Sequence, residues 1–198
     1  MPTSPSRPSR RAALLLAGGI AALAFALDQA TKFWVEATLE LGEQIEVLPP
    51  VLYWRHHLNP GAAFSMGTDH TWIFTLIQAA VLLFTLWYSR RLGGSWLWAA
   101  ALGGLAGGVA GNLTDRLFRP PSLVQGSFEQ FGQGHVVDFI AVPHFAVFNI
   151  ADSFIVCSII ALCAMMLFGL NPDGTRATKK AQDEPARDQA PAPEDTTE

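Results

Sequence analysis

The long uncharged segments of this chain limit what it can fold into. Residues 71–89, 92–114 and 153–172 contain no Asp, Glu, Lys or Arg, and residues 12–35 carry only Asp28 and Lys32 as charged groups. A helix of about 20 apolar residues crosses the hydrocarbon core of a bilayer. Charged residues make up 15% of the chain, against roughly 25% in a soluble domain. The sequence therefore predicts an all-α membrane protein with four transmembrane helices.

The basic residues predict how these segments are oriented. They cluster before the first segment, between the second and third, and after the fourth, as Arg7, Arg10, Arg11, Arg90, Arg91, Arg176, Lys179 and Lys180. By the positive-inside rule both termini are cytoplasmic, and the outer loops are residues 36–70 and 115–152. The alternative, a cleaved signal peptide within residues 1–30, would leave an odd number of spans and a basic flank outside.

The ends of the chain differ in composition from its centre. Residues 1–11 and 173–198 are rich in Pro, Ser, Ala and charged groups, which predicts disordered cytoplasmic tails around a membrane domain of residues 12–172. In the first outer loop, residues 45–48 and 51–57 flank two prolines and are rich in β-branched and aromatic side chains, which indicates short strands. We therefore expect some β structure at the outer surface.

Several functional classes are excluded by composition and motifs. The net charge is −4 without a basic stripe, which argues against a nucleic-acid partner. Cys157 and Cys163 lie in one apolar segment and suit neither a disulfide framework nor a zinc site. The chain contains no H-E-x-x-H string, no G-x-S-x-G serine motif and no lysine-bearing glycine loop for phosphate. We expect no metal and no cofactor, and carboxylates remain as the reactive groups.

Charged side chains within the spans are the main clue to function. Each costs roughly 2.5 kcal/mol or more in a bilayer and usually faces the bundle interior. Asp28 and Lys32 are four residues apart on one helix face and can pair, so a purely structural ion pair is an open alternative. Asn112, Asp115 and Arg116 share a second face at the outer end of the third span.

Glycines precede that polar group at intervals of four. Gly103, Gly107 and Gly111 form one set, and Gly104 and Gly108 form another. Small residues at this spacing allow membrane helices to approach closely. The pattern predicts that the third span packs tightly against its neighbours.

Asp138 and Asp152 are the best candidates for chemistry. Asn149 can cap the fourth helix and place Asp152 in its first turn, which alone would explain Asp152. Asp138 lies in the apolar run 136–140, where a lone carboxylate is costly. A turn at Pro143 would bring the two together. Such a pair keeps one proton and supplies an acid and a base for amide hydrolysis by water, although the residues do not assign the two roles.

These residues stand in five ordered motifs that resemble those of bacterial lipoprotein signal peptidase (signal peptidase II). The motifs are Asp28-Gln29-x-Thr31-Lys32, Asn59-x-Gly61-Ala62-Ala63-Phe64, Gly107-Gly108-x-x-Gly111-Asn112-x-x-Asp115-Arg116, Val136-Val137-Asp138-Phe139 and Phe148-Asn149-x-Ala151-Asp152. The resemblance implies four transmembrane helices with a small extracytoplasmic β-containing cradle. It also implies an aspartic endopeptidase of the bacterial inner membrane, with its active site at the periplasmic face.

The resemblance further implies the roles of individual residues. The enzyme would remove signal peptides from prolipoproteins by cutting N-terminal to the diacylglyceryl-modified cysteine, with Asp138 and Asp152 as catalytic residues. Membrane lipid and the inhibitor globomycin would be further partners, and the protein would be a monomer. Nine further residues would support the site and contact the substrate: Asp28, Lys32, Asn59, Gly61, Asn112, Asp115, Arg116, Asn149 and Ala151.

Two departures from the family pattern and two other functions remain. The segment 117–135 is longer than usual for the family, and the acidic tail after Pro172 is extra.

A cation- or proton-coupled transporter using Asp28, Lys32, Asp115 and Asp152 would need polar groups near the midplane, whereas these gather at the outer ends. A scaffold protein would explain the glycines but not Asp138.

Overall fold

The computed structural model describes residues 8–61, 71–120 and 131–177. Within them lie four α-helices and three strands: α1 (Arg10–Thr38), β1 (Gln44–Leu48), β2 (Leu52–Asn59), α2 (Thr71–Tyr88), α3 (Trp96–Phe118), β3 (Val136–Ala141) and α4 (Ile150–Leu167). Outside the described residues lie most of both predicted tails, the motif residues Ala62, Ala63 and Phe64, and much of the long 117–135 segment.

The helix boundaries follow from their caps. The Ser9 hydroxyl accepts from the Ala12 N–H at 3.2 Å, so α1 begins at Arg10, inside the predicted tail 1–11. The Ser95 hydroxyl accepts from the Trp98 N–H at 3.3 Å, which starts α3 four residues after the predicted span. Gly169 has a φ of 67°, a conformation that ends helices, and α4 stops at Leu167 rather than continuing to residue 172.

Helix α3 is the centre of the bundle and packs against α1, α2 and α4. A Cβ added at Gly103 or Gly107 would collide with the backbone of α1, and one added at Gly104 or Gly108 would collide with α4. The two predicted glycine sets therefore face two different helices. The close packing predicted from their spacing is confirmed.

Three of the described helices are long and apolar enough to cross a membrane: α1, α4, and α2 together with the short 3-10 turn that follows it. They expose large apolar side chains, as with Leu15 (77% exposed), Leu83 (68%) and Leu167 (86%). Lipid accepts such surfaces, whereas water does not. The 23-residue α3 is not among the three, since its glycines lower its hydropathy.

The strands form one antiparallel sheet in the order β1-β2-β3. β1 and β2 confirm the strands predicted around Pro49 and Pro50, and in the second pairing His57 lies opposite Asp138. Val137 and Phe139 of β3 are buried against Val35 and Leu39 near the end of α1. The sheet is thereby fixed to one end of the helical bundle, and that end carries the polar residues.

Candidate active site

A tight return of the chain after β3 brings residue 152 close to residue 138. The Phe145 N–H donates to the Val142 carbonyl at 3.1 Å, which closes a turn around Pro143. The chain then runs back along β3, where the Ile140 N–H donates to the Phe148 carbonyl at 2.7 Å. Asn149, the next residue, starts α4. The predicted turn at Pro143 is thus present and joins the strand of one aspartate to the helix of the other.

Asp152 forms a capping box with Asn149. The Asn149 side-chain oxygen accepts from the Asp152 N–H at 2.9 Å, and Asp152 Oδ2 accepts from the Asn149 N–H at 3.2 Å. The predicted cap is confirmed. Capping does not account for the whole side chain, because Asp152 Oδ1 also accepts from Asn112 Nδ2 on α3 at 2.7 Å.

Asp138 is buried, with 1% of its surface exposed. Its Oδ1 accepts from Asn149 Nδ2 at 2.7 Å, and its Oδ2 accepts from Asn59 Nδ2 at 2.9 Å. Asn149 Nδ2 also donates to Asn112 Oδ1 at 3.0 Å. Asparagine amides from β2, α3 and the start of α4 therefore connect the two aspartates in one hydrogen-bond network.

The surroundings of Asp138 favour its protonated form. Burial, followed by the nearby charge of Asp152, raises the pKa of Asp138 from 3.8 to about 7. The hydrogen bonds from Asn59 and Asn149 and the charge of Lys32 lower this pKa but do not offset the burial. Asp138 can thus carry a proton close to neutral pH, as expected of one member of a carboxyl pair.

A buried ion cluster lies behind this pair. Lys32 Nζ lies 2.8 Å from Asp28 Oδ2 and 2.7 Å from Asp115 Oδ2, and all three side chains are wholly buried. Lys32 Nζ also donates to Asn112 Oδ1 at 2.8 Å. The ion pair predicted within α1 is present, and it includes a carboxylate from α3 that the spacing did not reveal.

The two carboxylates of the cluster also hold backbone groups of the aspartate-bearing elements. Asp28 Oδ1 accepts from the Ala151 N–H at the start of α4 at 3.0 Å. Asp115 Oδ2 accepts from the Val137 N–H in β3 at 3.3 Å. The residues next to Asp138 and Asp152 are therefore anchored to α3 and α1 respectively.

Arg116 fixes the segment that follows β2. Its guanidinium donates to the carbonyls of Pro60 (2.9 Å), Gly61, Gly134 (3.2 Å) and Asn59 (3.3 Å). The Gly61 N–H in turn donates to Asn59 Oδ1 at 3.0 Å. These contacts orient the Asn59 amide, which donates to Asp138.

Both aspartates line one cavity of about 660 Å³. Of the residues singled out from the sequence, six form its wall: Asn59, Gly61, Asn112, Arg116, Asp138 and Asp152. The other five, Asp28, Lys32, Asp115, Asn149 and Ala151, stand behind this wall, where the contacts above make them supports. Among the described residues, no group of three or more His, Cys, Asp or Glu side chains is arranged to hold a metal ion.

The wall contributed by α2 was not among the features predicted from the sequence. Phe74, Ile77 and Gln78 line the cavity together with Val156 and Cys157 of α4. Apolar residues give no signal in a membrane helix, where every face is apolar. Gln78 did give one, because it is the single amide side chain in α2, and polar groups within spans usually face a functional interior.

The arrangement can perform acid–base hydrolysis. A carboxyl group that keeps its proton near neutral pH lies in the same cavity as a second carboxyl held at a helix N-terminus. A base to activate water and an acid to protonate a leaving group are the two functions that amide hydrolysis requires. The cavity provides room for a peptide beside them.

Comparison with known proteins agrees with this chemistry. The family model for Signal peptidase (SPase) II matches residues 20–168. A lipoprotein signal peptidase of Streptomyces coelicolor is 46% identical over 170 residues, which cover 86% of this chain and 78% of the relative. One of Rhodococcus jostii is 41% identical over 174 residues, covering 88% and 83%.

A solved structure is also similar. A bacterial membrane enzyme determined by the in meso method at 2.3 Å resolution superimposes with a TM-score of 0.64 at 26% identity, covering 82% of this chain and 91% of the other. The family match decides for a peptidase over a transporter or a scaffold protein. The chain belongs to the signal peptidase II family and is a multi-pass membrane peptidase of the aspartic type.

Proposed function

We propose that the protein removes signal peptides from diacylglyceryl-modified prolipoproteins by cutting N-terminal to the lipid-modified cysteine, with Asp138 and Asp152 activating water. The observation that carries the proposal is the shared cavity. Both aspartates line it, and the asparagine amides of residues 59, 112 and 149 hold their carboxyl groups. The relatives are named lipoprotein signal peptidases, which supports this class of substrate.

In the proposed mechanism the two aspartates take different roles. Asp152, at the N-terminal end of α4 where negative charge is favoured, is the base and accepts a proton from the attacking water. Asp138, whose pKa is about 7, is the acid and hydrogen-bonds the scissile carbonyl oxygen. As the tetrahedral intermediate collapses, the C–N bond breaks and Asp138 gives its proton to the leaving nitrogen of the cysteine, while Asp152 holds the proton taken from water. The products are a free carboxyl group and a free amine.

The cavity wall suits a lipid-bearing peptide. Phe74 and Ile77 of α2 and Val156 of α4 line it, and both helices expose apolar side chains on their outer surfaces. A diacylglyceryl group therefore meets apolar surface both within the cavity and in the surrounding bilayer. We propose that this places the modified cysteine beside the two aspartates, in a monomeric enzyme.

We further propose four spans with both termini in the cytoplasm. The sheet and the pair Asp138 and Asp152, called the dyad below, lie at the periplasmic face of the inner membrane. α3 runs the full length of α4, because Trp98 Nε1 donates to the Leu170 carbonyl at 2.8 Å at one end and Asn112 contacts Asp152 at the other. Because α4 crosses the membrane and α3 runs beside it from one end to the other, α3 crosses the membrane as well. Arg10 donates to the Arg90 carbonyl at 3.3 Å, so basic groups gather at the end away from the dyad.

The test is cleavage of a lipid-modified precursor by the purified protein in detergent. Asp138→Asn and Asp152→Asn should each lower kcat at least about 100-fold, the scale of general acid–base catalysis, while the protein remains folded. Glu46→Gln, an exposed carboxylate of β1, should keep the wild-type rate. Globomycin should block cleavage, and chelators should not. Wild-type turnover by either aspartate variant would refute the dyad.

A further inference from the structure

Gln78 is a polar side chain whose position the mechanism above does not use. It lies in α2 and lines the cavity beside Phe74 and Ile77. Its side-chain oxygen Oε1 is buried and has no hydrogen-bond partner among the residues that the structure describes. A buried carbonyl without a partner costs free energy, and within a membrane no water of the bilayer core compensates for it.

Three threonine hydroxyls of α2 each donate a hydrogen bond to a backbone carbonyl of the protein. The Thr71 hydroxyl donates to the Pro60 carbonyl at 2.6 Å, the Thr75 hydroxyl donates to the Gly132 carbonyl, and the Thr85 hydroxyl donates to the Val81 carbonyl at 2.8 Å. Gln78 differs from them in facing the cavity that holds the two aspartates. Oε1 itself has almost no accessible surface, so an occupant of the cavity can supply this partner once the terminal amide of Gln78 turns toward it.

We infer that Gln78 is a positioning residue whose Oε1 accepts a hydrogen bond from a backbone N–H of the signal peptide, on the N-terminal side of the scissile bond. The inference rests on the proposed function and names one contact within it. A peptide must be extended to present its scissile bond to the dyad, and an extended backbone in a membrane needs partners for its N–H groups. The diacylglyceryl esters carry only acceptors and cannot satisfy a carbonyl oxygen.

The depth of Gln78 determines which part of the substrate it meets. It follows Thr71, the first residue of α2, by two helical turns, or about 10 Å along the axis. It therefore lies deeper in the bundle than the polar end where the dyad sits. The hydrophobic signal peptide occupies this depth, whereas the mature lipoprotein leaves toward the outer surface.

The first experiment compares the kinetics of three variants. Gln78→Met keeps the size of the side chain and removes the acceptor, so KM should rise about 3- to 10-fold, the scale of one neutral hydrogen bond, with kcat unchanged. Gln78→Glu keeps an acceptor and should retain the wild-type KM. Thr85→Val removes a polar group from the same helix away from this cavity and should also match the wild type. A wild-type KM for Gln78→Met would overturn the inference.

The second experiment changes the substrate. Each backbone N–H on the N-terminal side of the scissile bond is replaced in turn by an ester oxygen. At one position the wild type should lose about 3- to 10-fold in kcat/KM, and Gln78→Met should lose nothing further there. No sensitive position in the wild type, or the same losses in both enzymes, would overturn the inference. Failure of the wild type to cleave the unmodified precursor would instead refute the proposed function.

Discussion

At the scale of single residues, the Asp138 carboxyl group is held by neutral amide groups. Two asparagine amides donate to it, and its own strand is anchored through Val137 to Asp115. Burial nevertheless dominates and raises its pKa to about 7. The folded protein therefore prefers Asp138 protonated under conditions in which the unfolded chain would ionise it.

This pKa predicts how stability depends on pH. Because the folded pKa of about 7 lies above the ordinary 3.8, the unfolded chain loses its proton first and folding is opposed as pH rises between these values. The stability that protonated Asp138 contributes to the folded protein is fully present below about pH 3.8 and is lost by about pH 7. The loss is on the order of a few kcal/mol.

The measurement is the Tm of the wild type and of Asp138→Asn in detergent across that pH range. The variant cannot ionise at this position, so the wild-type Tm should fall relative to it as pH rises from 4 to 7, and the difference should then stay constant. The absolute Tm of the variant is not diagnostic, because asparagine also changes two hydrogen bonds. Parallel Tm curves would contradict a raised pKa.

The sequence predicted part of this residue-level arrangement. The i, i+4 spacing predicted the pairing of Asp28 with Lys32, and the apolar setting of Asp138 indicated that it needs a partner. The spacing could not show that Asp115 completes the cluster, because that contact depends on how α1 and α3 cross. It also could not show which part of the bundle interior Gln78 lines, because rotation of α2 about its axis is set by packing.

At the scale of whole elements, the glycines of α3 set its distance from its neighbours. A Cβ added at Gly107 would lie 2.8 Å from the Ala24 Cβ and 3.0 Å from the Ala21 Cα of α1. Gly111 faces the Asp28 carboxyl group and Ala151. The same close packing that joins the helices thus brings Asp28 and Lys32 within reach of α3.

Gly107→Ala should therefore separate α1 from α3. We expect a loss of about 1–3 kcal/mol in the free energy of unfolding, the usual cost of overpacking, together with a lower kcat because the ion cluster behind the dyad loosens. The measurements are unfolding in detergent and cleavage kinetics. Gly18→Ala is the matched control, since a Cβ at Gly18 meets nothing within 4 Å. Equal stability of the two variants would show that the glycine set does not control the packing.

The elements themselves were largely predictable, and their ends were less so. Long apolar segments predicted the four α-helices of the described residues, and the β-branched run predicted β1 and β2. The observed ends differ from the predicted ones because local contacts and backbone conformation determine where a helix begins and ends. Ser95 caps α3, and Gly169 ends α4. The pairing of β2 with β3 was not predictable, since two helices separate these strands in the chain and no short turn fixes their register.

At the scale of the whole molecule, Arg10, Arg90 and Arg91 lie at the end of the bundle away from the two aspartates. The Gly93 N–H donates to the Pro172 carbonyl at 3.1 Å, so the turn before α3 lies beside the segment that follows α4. Arg91 stacks over the rings of Trp87 and Tyr88, 5.6 Å from each centroid, at this same end. Aromatic and basic side chains together favour the membrane–water interface, with the basic groups on the cytoplasmic side.

This arrangement predicts the topology, which single cysteines can test. In a chain with Cys157 and Cys163 replaced by Ser, Glu46→Cys on β1 should react with a membrane-impermeant maleimide added to intact spheroplasts. Arg91→Cys and Arg176→Cys should react only after the membrane is opened. As a control, each cysteine variant should retain cleavage activity, which shows that it is folded.

Arg176→Cys is the decisive position, because it reports on α3. If α3 crosses the membrane, α4 returns the chain to the cytoplasm and residue 176 is protected. If α3 lies within the bundle without crossing, α4 carries residue 176 to the outer side, where it reacts together with residue 46. The charge pattern and the contact of Trp98 with Leu170 both require protection. Labelling of Arg176→Cys in intact spheroplasts would therefore contradict the four-span topology. It would show that the protein has three spans and that its termini lie on opposite sides of the membrane.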